Sequence, residues 1–251
     1  MADNIKKLLA DDSVSAQDAA QNVASPCINA IEKSEDASKI EHELNALWSA
    51  ILTAAEQTPH DRQDKLVQVM HAIKELSPSG DKAKKFVVWD QETRWDELPL
   101  FGAAARERLD TAQESSDDAC VNINAFFARV NAAGISDFTL YAIWTLREAL
   151  EDPAADQIAQ QTSSKLLKAA SVWFIYAADS LKSATKEGKK FDGKMAKPGV
   201  SLKDQAEWRG FCEDRWKTWQ DRLASVKNAD LPADTQGLID QAIKDTGRAS
   251  A

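Results

Sequence analysis

Between Ala37 and Gln57, the residues Ile40, Leu44, Leu47, Trp48, Ile51 and Leu52 recur at intervals of three and four. That spacing puts all six on one face of an α-helix and on no single face of a strand. The pattern returns as Leu66, Val69, Met70, Ile73 and Leu76, then as Leu166, Ala170, Trp173, Ala177 and Leu181, then as Trp208, Cys212, Trp216, Trp219, Leu223 and Val226. Only nine glycines and seven prolines interrupt 251 residues, which favours long helices over sheet and turn. The chain is therefore expected to be all-α, an irregular single-domain helical bundle of roughly eight or nine helices over residues 1–251. Residues 1–14 are expected to make a short helix or to fray, and 188–200 to form a mobile Lys/Gly loop.

Local signals set the breaks. Pro26 is expected to kink or end a helix over Ser15–Glu35. Pro59 starts a new helix, and "SPSGDK" (Ser77–Lys82) ends it. Ser115 or Ser116 caps a helix through "CVNINAFFARVNAAG" that Gly134 closes, and Asp137 caps the next, which Pro153 stops. A long helix is expected from about Ala154 to Lys186, and a short one after Pro232. "FVVW" (Phe86–Trp89) is a lone β-type run, expected to be extended because one strand makes no sheet. In "RWDELPLFG", Pro99 is expected at the first helical position, with Trp95 stapling that entry to the core and Trp89 anchoring the run before it.

Composition removes several functions. The formal charge is −9, against the basic face of a nucleic-acid binder. Cys27, Cys120 and Cys212 are far apart and form no CxxC pair, so buried thiols in a reducing compartment are expected rather than a disulfide framework. The N-terminus lacks the apolar stretch of a signal peptide, and no window reaches the length of a membrane span. The expectation is an acidic, tryptophan-rich cytoplasmic protein with no membrane and no nucleic-acid partner.

Taken in order, "RWDELPLFG", "VNINAFFARV", "YAIWTLREALE", "KLLKAASVWFIYAA" and "EDRWKTWQDRL" resemble a fungal family known as domain of unknown function 3632. The similarity runs from about Leu47 to Ile243, and it rests on order and spacing rather than on one motif. It implies an all-helical intracellular protein of fungal source, with no assigned catalytic residues.

The residues hold no recognisable catalytic constellation. His42, His60 and His71 lack the short spacing of a metal set, so no metal and no cofactor are expected. Asp11–Asp12 and Asp117–Asp118 are adjacent, so neither pair shares a helix face, and their place is at helix starts. No phosphate loop and no GxSxG elbow exist. Two candidates remain. Residues 182–203 hold seven lysines against two acids, which makes Lys189, Lys190, Lys194 and Lys197 a docking site for an anion or an acidic partner, or a solvated loop. Polar and aromatic residues embedded in apolar helices form the second: Trp95, Asn122, Asn124, Arg129, Trp144, Glu148 and Trp173 line a pocket, or fix helix register through a polar network that includes Arg147 and Arg215. The leading expectation is a non-catalytic interaction or scaffold protein whose helical surface docks a protein partner. The alternative is a small-molecule-binding protein or cofactor-free enzyme with a Trp-lined pocket.

Overall fold

A computed structural model of the protein describes residues 2–33, 35–80 and 84–250. Its contacts gather into two compact units, Met1–Ala119 and Cys120–Ala251. Eleven helices and one two-stranded sheet occur among the described residues. The all-α expectation fits, and the count exceeds the eight or nine read from periodicity.

In the first unit, α1 (Ala2–Ala10), α2 (Ala16–Glu32) and α5 (Phe101–Ala112) pack against α3 (Ala37–Gln57), and α4 (Asp64–Glu75) packs against α2. Ile40, Leu44, Leu47, Trp48, Ile51 and Leu52 of α3 are all buried, as periodicity requires. Ser15 caps α2 by accepting the Asp18 N–H. The helix then runs on through Pro26, neither ending nor breaking there. A proline leaves the carbonyl four residues back without its donor, and here the Ser25 hydroxyl donates to that Asn22 carbonyl at 2.9 Å.

"FVVW" has a partner after all. Strand β1 (Lys85–Val88) pairs antiparallel with β2 (Gln91–Arg94), Val88 opposite Gln91. The turn between them is Trp89–Asp90, with φ of 51° and 60°. Two left-handed central residues make the hairpin turn whose twist matches its strands. Trp89 is thereby turned outward and 60% exposed, so it does not anchor the core as expected. Trp95 does: it is buried and donates from Nε1 to the Ile73 carbonyl at 2.6 Å. Pro99 is not at a helix start either. Leu98 and Leu100 on each side of it are left-handed, α5 begins at Phe101, and the Pro99 carbonyl accepts Trp48 Nε1 at 2.7 Å. The expected break at Ser77–Lys82 begins with a short 3₁₀ turn at Pro78–Gly80, and Asp81, Lys82 and Ala83 lie outside the described residues.

The second unit holds α6 (Asp117–Ala132) from Cys120 onward, α7 (Thr139–Leu146), α8 (Ile158–Gln161), α9 (Ser164–Lys186), α10 (Glu213–Ser225) and α11 (Ala233–Ser250). Helix α11 is eighteen residues long, not the short terminal helix expected, and it packs along α9. Val121 and Ala125 of α6 meet Val172 of α9 in the interior, with Tyr176 and Leu238 at its edge. The single helix expected from Ala154 is two. Thr162 is extended, and Ser163 starts α9 afresh by accepting the Leu166 N–H. Asp137 accepts both the N–H and the hydroxyl of Thr139 at the start of α7. Beyond Leu146 the chain widens into a π-turn, Arg147–Glu151. Such turns are rare and shift side chains out of their α register. This one brings Glu151 into the interior, where it is 0% exposed.

Candidate functional site

Glu151 is the hub of the second unit. Its Oε1 accepts Arg215 Nε at 2.7 Å and Trp219 Nε1 at 2.6 Å, and its Oε2 accepts Arg215 Nη2 at 3.0 Å and the Gly199 N–H at 2.9 Å. Both members of the ion pair are fully buried. Burying two charges costs more than their attraction returns unless the other hydrogen-bonding positions are also filled. They are filled. Arg215 Nη1 donates to the carbonyls of Ala196 and Gly210, and Nη2 also to that of Lys197. Arg222, one helical turn beyond Trp219, donates to the carbonyls of Leu150 and Pro153 and to Ser201 Oγ. Burial pulls the Arg222 guanidinium below its ordinary pKa, with Glu151 acting the other way.

The network's effect is to hold the lysine loop. Arg215 takes the carbonyls of residues 196, 197 and 210, Glu151 takes the amide of 199, and the Glu151 carbonyl accepts the Ser201 hydroxyl. Lys190 and Gly210 form a β-bridge, and the Phe211 N–H donates to the Lys189 carbonyl. Gly199 sits so close to the π-turn that a Cβ there would lie 2.5 Å from the Glu151 carbonyl carbon. No side chain fits at that distance, which is why glycine stands there.

On this held loop, Lys194, Lys197 and Lys203 join Arg147 and Arg209 around a pocket of about 610 Å³, with Pro198, Gly199, Val200 and Ala206 as its apolar part and Asp152 as its one carboxylate. Asp152 Oδ1 is engaged by the Val200 N–H at 2.8 Å. None of the five cations belongs to an ion pair among the described residues. Lys168, Lys182 and Lys189 in the same unit each do.

The four lysines read from the sequence thus separate. Lys194 and Lys197 line the pocket. Lys189 is ion-paired with Asp137, and Lys190 lies on the β-bridge. Burial works to raise the Asp137 pKa, yet the hydrogen bonds from Lys189 and Thr139 outweigh it and hold the carboxyl below its ordinary value. Of the other candidates, Asn124 and Trp173 come together. Asn124 Oδ1 accepts Trp173 Nε1 and the Thr145 hydroxyl, each at 3.0 Å, while its amide donates to the Cys120 carbonyl. All of these groups are buried, an inter-helix network that fixes register. Asn122 is buried on the same helix, and Arg129 lies 3.7 Å over the Tyr176 ring. Trp144 stacks on Tyr141 and donates to the Met195 carbonyl at 2.8 Å, tying α7 to the lysine loop. Glu148 is half-buried in the π-turn, and Trp95 belongs to the first unit.

Sequence reasoning missed Glu151, Arg222, Lys203 and Arg209. One signal for the hub was available: Arg215, Trp219 and Arg222 stand four and three apart, so two arginines flank an indole on one face of α10. Arginines on an apolar stripe call for a buried acid.

A helical unit built around a charged, loop-holding centre describes the class of the second unit. The chain belongs to the family described as protein of unknown function (DUF3632), matched over residues 48–223, which takes in the hub and every residue of the basic pocket. No curated protein and no solved structure gives a match.

Proposed function

We propose that this protein is a non-catalytic binding protein whose lysine-loop pocket receives the anionic group of a partner. One observation carries the reading: Arg147, Lys194, Lys197, Lys203 and Arg209 converge on one pocket with no ion pair to neutralise any of them among the described residues. Cations held near one another raise each other's potential, and an incoming carboxylate or phosphate relieves that repulsion. The chain's net −9 makes such a basic site locally distinct. Three free cysteines support work in a reducing compartment, the cytoplasm.

The test is calorimetric titration with citrate and with inorganic phosphate at low salt, for the wild type and for Lys194→Glu/Lys197→Glu. Binding that weakens on the order of tenfold in the variant and fades with added salt is expected. Equal titration of both proteins would remove the pocket from the account.

A further inference from the structure

Resting on that reading, we infer that the anion taken by the pocket is amphipathic, a carboxylate or phosphate head carrying a straight apolar tail. A bare anion would need only the cations. This pocket also has a continuous apolar run, Pro198–Gly199–Val200, with Ala206 beside it. Its volume of about 610 Å³ falls within the range of sites for organic ligands, about 300–1,000 Å³.

The surface around it is unusual in the same sense. Four large hydrophobic residues are exposed among the described residues, and two belong to this loop: Val200 at 74% and Met195 at 46%. Val200 lines the pocket itself, and Met195 lies between the pocket lysine Lys194 and the buried Ala196. Exposed apolar side chains on one loop beside a charged pocket suit a surface that a ligand covers. These two are not left out by a loose chain. The Val200 N–H is held by Asp152, the Gly199 N–H by Glu151, and the Met195 carbonyl accepts Trp144 Nε1. The backbone is fixed while the side chains face solvent, an arrangement pre-organised for a ligand. The lysine stems add carbon around a charged rim, so the head meets the cations while the tail lies along 198–200.

The experiment is a homologous series: butanoate, hexanoate, octanoate and decanoate, and the alkyl phosphates of the same lengths, titrated at constant ionic strength. Methyl signals of Met195 and Val200 report where the tail lies. Affinity is expected to rise about two- to fourfold per added methylene until the apolar run is covered. Lys194→Glu/Lys197→Glu weakens every member by a common factor and keeps the increment. Val200→Ser, at a side chain that faces solvent, shrinks the increment and keeps the head's contribution. The carboxylate and phosphate arms tell which head is preferred. Affinity that ignores tail length while citrate still binds would overturn the amphipathic ligand and leave the anion pocket standing. Failure of citrate, phosphate and the whole series overturns both readings. Adsorption to anionic phospholipid vesicles with no response to the soluble series also overturns the inference, in favour of a lipid surface.

Discussion

In the first unit, Trp48 and Trp95 each give their indole N–H to a backbone carbonyl, of Pro99 and of Ile73. In the second, Trp219 gives its N–H to the buried carboxylate of Glu151, which also carries Arg215 and the Gly199 amide. Both solutions satisfy the polar atom of a large buried ring, and they differ in what depends on it. A carbonyl–indole bond is one local contact. The Glu151 centre joins the π-turn, α10 and the lysine loop, so that the position of a surface loop is set by a charge in the interior. In the first unit each of these indoles is held by one local contact, whereas the core of the second also fixes the course of a surface loop.

The largest effect that follows is at the hub. Glu151→Gln keeps the shape but leaves Arg215 charged and buried without its counter-ion, a loss of about 3–5 kcal/mol by denaturant unfolding. Binding of citrate is expected to fall with it as the loop is released. A loss below about 1 kcal/mol, in the range of exposed ion pairs, would erase the contrast between the units. Next comes Gly199→Ala, where the new methyl group meets the π-turn at 2.5 Å. Overpacking of this kind costs about 1–3 kcal/mol, and the variant sharpens the comparison if anion affinity drops while the unfolding of the first unit is unchanged. Smallest are Trp48→Phe and Trp95→Phe. Each removes one donor from a buried carbonyl, at about 1 kcal/mol, and each should leave the titration of the lysine loop unaltered. A shift in that titration would show that the first unit does more than hold itself together.

The stripes of α3 and α9, and that of α10 from Trp216 to Leu223, were legible because a period of three and four survives in the sequence whatever the helices pack against, while Trp208 and Cys212 precede the helix. So was the concentration of lysine at 182–203. Glu151 was not legible, because its arginine stands 64 residues away and "LREALEDP" reads as an ordinary helix end; the π-turn that carries the carboxylate inward has no signature of its own. The hairpin escaped for a different reason. Its second strand, "QETR", has no apolar alternation, and its turn uses Trp and Asp where glycine or asparagine would announce it. Division of the four lysines between an ion pair, a bridge and a pocket depended on where Asp137 and Gly210 fall in space, which spacing along the chain does not encode.

The outward turn at Trp89 gives the protein a built-in optical probe. Six of its tryptophans are buried, Trp144 is partly covered, and Trp89 alone is mostly exposed. A collisional quencher such as iodide should therefore reach this indole first, and the dimmed fraction of the emission reports on the hairpin of the first unit without any label.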